Sequence, residues 1–409
     1  MLGRMQESTA DPGGRGILGR VRVADASARV TTFELFFDLV YVFAFTQISM
    51  LMADTHTAFG VLQALIVLGL LWWTWCAYSW LANQAPADQG VLQVGMGVAM
   101  IAIFLVALVI PEAYEDLPGG WSGPLVLALA YTLVRLVHTG LYLVAAGDDR
   151  ALRVQVLRTQ AVAMVPAAVA LIVGAIMGGA AQTWIWLAAF AWDVVFTYAS
   201  SRGGGGWRLH SPAHWAERYG LVVILALGES IVAIGVGVAR EPIDAAIALG
   251  TVFAVVLSIL LWWAYFARIA EAGEHALQRR ADASRVVLAR DAYTYLHFAI
   301  VAGVILAALG VEDAMAHVGE TEPFGGFGAA ALASGLALYL LATAAFGRIV
   351  DLPWSRVRVG TAVALAASIP LLAVFAPMGA LAVAVVVVAA SLALEGVVQA
   401  RRAATPRVP

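Results

Sequence analysis

Roughly twelve windows of about twenty apolar residues follow one another along this 409-residue chain, and that succession leaves few folds open. About 20 helical residues, each rising ~1.5 Å, cross the ~30 Å of bilayer hydrocarbon. Inside hydrocarbon every peptide group must find its partner within the protein, so segments of this length read as helices. The windows lie near 33–53, 58–81, 90–110, 123–145, 155–178 and 183–200, then near 214–239, 244–267, 287–310, 326–347, 357–376 and 379–399. Hydrophobic residues make up 62% of the chain and charged ones 12%, where a soluble domain carries about 25% charged residues. With a mean hydropathy of +0.86, the expected fold is all-α, a polytopic transmembrane helical bundle of about 12 spans in contact with a lipid bilayer.

Charge placement orients those spans. All 24 basic residues are arginine, which excludes a lysine Schiff base and the P-loop lysine of a nucleotide site. With the amino terminus inside, every arginine falls in inner segments except Arg135, Arg218 and Arg240. Outer loops such as PEAYEDLPGG at 111–120 and EDAMAHVGETEP at 312–323 are acidic, while the inner loop NQAPAD at 83–88 lacks arginine and departs from the pattern. The positive-inside rule therefore puts both termini in the cytoplasm, and a net charge of −3 adds nothing to that. Residues 1–30 are too long and too charged for a simple signal peptide and read as a cytoplasmic arm. A first six-helix membrane half covers 31–200, a Gly-rich linker 201–213, a second half 214–400 and a cytoplasmic tail 401–409. Leu71, Trp72 and Trp73 recur as Leu261, Trp262 and Trp263; Glu34 is echoed by Glu217 and Asp88 by Asp291. Six spans per half would make this a parallel 6+6 internal repeat about an axis along the membrane normal. No long polar domain offers itself to nucleic acid, and the lone Cys76 in an apolar run reads as a packing residue.

Ionisable side chains within the windows are expensive and mark candidate sites. Glu34 and Asp38 are four residues apart, ~40° around a helix, and share one face of the first span. His214, Glu217 and Arg218 fall at i, i+3 and i+4 on the seventh span, and Glu229 lies eleven residues past Arg218, within ~20° of the same face. Arg135 and His138 sit in the fourth span, with Glu34, Asp38, Asp193 and Glu229 as candidate partners for the arginine. Asp193, His297 and Glu395 come from the sixth, ninth and twelfth spans. The surplus is negative and suits a cation, a proton relay or a cationic solute, in a cavity opening to the cytoplasm. Structural alternatives stand beside this: interfacial anchors for His214, Glu217, Arg218 and Glu395, a plain salt bridge for Arg135, and a hydrogen-bonded core role for His297. His138, His214 and His297 with carboxylates could also bind Zn or Fe, or two of them a haem, but none shows the local spacing that makes such a site specific.

The segments ELFFDLVYVFAFTQIS at 34–49, HWAERYGLVVILALGESIVAIG at 214–235 and YTYLHFAIVAG at 293–303 resemble the bacterial low temperature requirement protein A family, LtrA. The resemblance implies an integral protein of the bacterial inner membrane, linked by name to growth in the cold, with no established biochemical activity or cofactor. By match it marks Glu34, Asp38, His214, Glu217, Arg218, Glu229, Ser230 and His297 as family features. The leading expectation is a transporter moving a small solute or cation, coupled to protons, between two six-helix halves. Substrate or ion contact is expected from Glu34, Asp38, Arg135, His138, Asp193, His214, Glu217, Arg218, Glu229, Ser230 and His297, and no residue is assigned to catalysis. An intramembrane enzyme, metal or haem protein acting on a hydrophobic substrate, and a structural or sensory protein, are the competing expectations. Alkaline phosphatase, active only outside the cytoplasm, should be active when fused within 111–120 and inactive when fused after Pro409; the reverse pattern would refute the topology.

Overall fold

A computed structural model gives the fold and describes residues 29–202, 207–239 and 241–404. Most of the expected 1–30 arm, part of the 201–213 linker, Arg240 and residues 405–409 of the tail lie outside the described residues.

The described chain is helical, with no strand among its described residues. In order the helices are α1 (Thr32–Thr55), α2 (Ala58–Gln84), α3 (Gly90–Leu108), α4 (Gly123–Ala145), α5 (Arg150–Met177) and α6 (Gly179–Ser200), then α7 (Pro212–Gly237), α8 (Ala245–Phe266), the short α9 (Ile269–Arg279), α10 (Asp282–Ala316), α11 (Gly326–Ile349), α12 (Arg356–Ala367), α13 (Ile369–Leu372) and α14 (Pro377–Ala404). Ten of these segments, one of them running from α8 through α9, are long and apolar enough to cross a membrane. The sixth window forms a full-length helix, α6, but one made less apolar by Gln182, Thr183 and Asp193. The eleventh window is broken into α12 and α13 at Ser368. Pro370 is the reason, because its ring supplies no N–H and clashes with the carbonyl of the preceding turn. Twelve residues of α12 reach only ~18 Å, too short to span alone.

Two helices carry π-turns. In α5 the wide turn Gln160–Met164 precedes Pro166 and relieves the same proline clash. In α10 the turn Ala289–Tyr295 frees the Ala292 carbonyl, which accepts from His297 Nδ1 at 2.9 Å.

Many, though not all, helix neighbours in residues 32–200 have a counterpart in residues 212–404: α2 also packs on α4 and α10 on α14 without matching pairs among the described residues. In the first half α1 packs on α2 and α3, α3 on α4, α4 on α5, α5 on α6, and α2 on α6. In the second half α7 packs on α8 and α10, α10 on α11, α11 on α12, α12 on α14, and α8 on α14. The halves meet where α1 and α2 touch α7 and α10. The LWW echo is not matched in burial: Trp72 and Trp73 are enclosed, whereas Trp262 and Trp263 are exposed on the outer surface.

The tightest seam joins α10 to α11, where glycines admit the facing backbone. A Cβ at Gly335 would stand 2.2 Å from Ala307 N, and one at Gly303 would stand 2.7 Å from Tyr339 N. Such small-residue seams drive helix association in lipid, where apolar burial between helices gains little. Gly335→Ala should therefore destabilise the protein by about 1–3 kcal/mol, read as a lowered midpoint of unfolding in mixed micelles; an unchanged midpoint would contradict the seam.

Candidate functional site

The first turn of α1 is built by a capping box: Thr31 Oγ1 accepts from Glu34 N at 3.2 Å, and Glu34 Oε2 accepts from Thr31 N at 2.9 Å. Using one carboxylate oxygen this way leaves Glu34 Oε1 facing inward. There it meets His214 Nε2 at 2.8 Å and Arg218 Nη1 at 2.5 Å. One turn on, Asp38 Oδ1 accepts from Arg218 Nη2 and from Trp75 Nε1, each at 2.9 Å. Arg218 Nε donates to Ser79 Oγ at 2.9 Å, and its guanidinium lies 5.6 Å from the centre of the Trp75 ring. Asn83 fastens the start of α7: its Nδ2 donates to Ser211 O at 2.9 Å and faces His214 Nδ1 at 3.3 Å, while Oδ1 accepts from His210 N at 2.8 Å. Arg218, Asp38 and Ser79 are completely buried, and Asp38 Oδ2 has no hydrogen-bond partner among the described residues. Glu34, Asp38, His214 and Arg218 thus pair in a sealed core between α1, α2 and α7, and line neither of the two cavities described below.

Sequence reading missed the contribution of α2. Trp75, Ser79 and Asn83 recur every four residues, which places them on one helical face. That stripe of hydrogen-bonding side chains in an apolar run was the available signal.

A second constellation lies toward the arginine-rich end of the first half. Arg135 donates through Nη1 to Asp193 Oδ2 at 2.5 Å and to Tyr131 Oη at 3.0 Å, and through Nη2 to Gln160 Oε1 at 3.4 Å. Of the four carboxylates considered for Arg135, the structure brings Asp193 to it. Arg135 and Gln160, with His138 and Tyr142, border a cavity of about 90 Å³ among α2, α4, α5, α6 and α10. Trp73, Trp80, Tyr142, Trp207 and Tyr295 give it aromatic walls. Both π-turns reach it, through Gln160 and through Arg290, Thr294 and Tyr295. Tyr142, one turn after His138, was not singled out from the sequence, although that i, i+4 spacing puts the two on one face.

The remaining expected residues fall elsewhere. Glu229, buried in α7, accepts from Thr46 Oγ1 at 2.7 Å and has no ion pair among the described residues. Glu217 is partly exposed and holds the chain before α1, accepting from Val30 N at 3.2 Å and pairing with Arg29 at 3.7 Å. Ser230 donates to Leu227 O at 2.6 Å and lies 3.0 Å from Ser258 Oγ, joining α7 to α8. His297 is enclosed, with Nδ1 toward Ala292 O and Nε2 at 2.7 Å from Tyr265 Oη. Glu395 pairs with Arg358 at 2.8 Å. His138, His214 and His297 stand in three different surroundings, and no group of three or more His, Cys, Asp and Glu side chains among the described residues is arranged to hold a metal ion.

Fold and site together define an all-α, multi-pass membrane protein in which Glu34, Asp38, His214 and Arg218 are joined in a sealed ionic core. The chain belongs to the bacterial low temperature requirement A protein (LtrA) family, whose model matches residues 29–393. It is 27% identical over 295 residues to the uncharacterized protein RA0937 of Rhizobium meliloti (strain 1021), an alignment covering 69% of each chain. No solved structure matches it.

Removing one partner from a buried ionic cluster leaves uncompensated charge, which costs about 3–5 kcal/mol. Arg218→Met should lower unfolding stability by that order, and adding Glu34→Gln and Asp38→Asn should recover much of the loss. Denaturant unfolding in mixed micelles reads both effects; a triple variant no more stable than Arg218→Met would contradict the pairing.

Proposed function

We propose that this LtrA family protein is a proton-coupled transporter of a small solute, set in the bacterial cytoplasmic membrane with both termini in the cytoplasm. The charge balance of the sealed core carries the reading. Asn83 uses one Nδ2 hydrogen on Ser211 O and the other on His214 Nδ1, which makes that ring nitrogen an acceptor. His214 Nε2 then holds the ring proton and donates it to Glu34, so the imidazole is neutral. Arg218 supplies one positive charge against two carboxylates. A dry interior penalises net charge severely, so the cluster balances only with one added proton. Asp38 Oδ2, the carboxylate oxygen without a partner, is where that proton binds.

The cluster joins α1 and α2 of one half to α7 of the other, so losing the proton changes the electrostatics of the contact between halves. Glu34 and Asp38 are the coupling carboxylates and Arg218 their counter-ion. Arg135, His138 and Asp193 belong to the solute cavity, which opens toward the cytoplasm. Glu229, held by Thr46, is a second proton stop toward the outer face. Glu217, Ser230 and His297 hold helices in register.

The paired halves suit this reading as two related six-helix units. Besides the cavity among α2, α4, α5, α6 and α10 there is a larger one in the second half, about 410 Å³ bounded by α8, α11, α12 and α14 and lined by the Arg358–Glu395 pair.

In vesicles loaded with a pH-sensitive dye, an inward proton gradient and a panel of small polar solutes should give solute-dependent acidification above that of protein-free vesicles. Asp38→Asn keeps the core neutral without an exchangeable proton and should reduce the response at least about tenfold, the equivalent of ~1.4 kcal/mol in an activation barrier. Unchanged acidification in folded Asp38→Asn and Glu34→Gln would overturn the reading.

A further inference from the structure

The cavity beside Arg135 contains a set of polar atoms that the protein itself leaves unsatisfied. Among the described residues Arg135 Nε, His138 Nδ1, Tyr142 Oη and Trp207 Nε1 are all buried without a hydrogen-bond partner, and all four side chains line this one cavity. Buried polar groups are nearly always paired, so four such atoms converging on one space point to an occupant. Their chemistry limits what it is. Arg135 Nε and Trp207 Nε1 are donors only, and Tyr142 Oη is a donor that also accepts. His138 Nε2 lies 3.0 Å from the Ala77 carbonyl, so it carries the ring proton and leaves Nδ1 as an acceptor.

Charge limits it further. Arg135 is balanced by Asp193 and Arg290 by Asp291, each at hydrogen-bond distance. The lining therefore has no surplus cation to receive an anion and no free carboxylate to receive a cation. Trp73, Trp80 and Tyr295 offer flat apolar surface beside the polar atoms. At ~30 Å³ of liquid volume per water, about 90 Å³ corresponds to roughly three waters, room for a solute of a few heavy atoms.

We infer that this cavity binds a small neutral solute of a few heavy atoms carrying a carbonyl oxygen beside an N–H or O–H donor, the chemistry of a short primary carboxamide or of a short carboxylic acid in its protonated form. The carbonyl oxygen accepts from Arg135 Nε and Trp207 Nε1, the adjoining N–H or O–H donates to His138 Nδ1, and Tyr142 completes the ring of partners. The inference rests on this cavity being the solute site of the proposed transporter, but binding is measured without any transport. Vesicles that show no flux would refute the transporter reading and leave binding standing; absent binding would refute the solute class whatever the flux.

The probe is radiolabelled acetamide, measured by equilibrium dialysis on the purified full-length protein in lipid nanodiscs, with acetone and acetate at neutral pH as comparators. Acetamide should bind saturably, acetone roughly two- to tenfold more weakly because it lacks the N–H donor, and acetate at least about tenfold more weakly because it brings an unbalanced charge. Tyr142→Phe and Trp207→Phe should each weaken acetamide roughly two- to tenfold, the span for losing one hydrogen bond. Tyr142→Phe should at the same time unfold no earlier than the wild type, because it removes an unsatisfied buried hydroxyl. No saturable acetamide binding, equal or tighter binding of acetate, or unchanged affinity in both variants would each identify a merely water-filled cavity and overturn the inference.

Discussion

The architecture depends on one buried guanidinium. Arg218 is withdrawn entirely from solvent, and the effective cost of burying an ion is several kcal/mol, so it persists only where its donors are met. Its donors meet Glu34 and Asp38 on α1 and Ser79 on α2, and the Trp75 ring lies beside its plane. Three helices that hydrocarbon alone would not hold together are fixed in register by that fork. Apolar side chains give helices in lipid little reason to choose one neighbour over another, so directional contacts of this kind set the arrangement. The choice of arginine fits the task, since a planar five-donor group can bridge two carboxylates and a hydroxyl where an ammonium would act as a point charge.

Two kinds of packing coexist around this centre. Along the α10–α11 seam, backbone meets backbone across Gly303, Gly310 and Gly335 with no room for a methyl group. On the opposite side of the second half, α12 and α13 are short, broken by proline and joined to the rest partly through the Arg358–Glu395 pair. The closest backbone packing lies in that seam, while the open volumes flank it, one lined in part by α10 and the other in part by α11.

Much of this was legible before any coordinates. Windows of about twenty apolar residues located the helices, because hydrocarbon admits little else, and the i, i+4 spacings of Glu34 with Asp38 and of His214 with Arg218 located the faces carrying the core. Partnership was not legible. Nothing in the spacing of Arg135 distinguished Asp193 from Glu34, Asp38 or Glu229, since the choice depends on which helices touch. The window at 357–376 passed a test of apolarity that takes no account of Pro370. The polar face of α2 was overlooked because Trp75, Ser79 and Asn83 carry no charge, and hydropathy gives little weight to neutral hydrogen-bonding groups. Trp207 lies beyond any periodic argument, as it joins the cavity from the connection between α6 and α7.

Glu34 divides its two oxygens between two tasks, and that division links distant parts of the molecule. Oε2 closes the first turn of α1 with Thr31, while Oε1 belongs to the ionic core with His214 and Arg218. Just ahead of that turn, Val30 and Arg29 are held by Glu217, which lies on the same helix as Arg218. The start of α1 is therefore an electrical terminal of the core, and a change of charge inside the bundle acts directly on residues 29 and 30, just ahead of that helix.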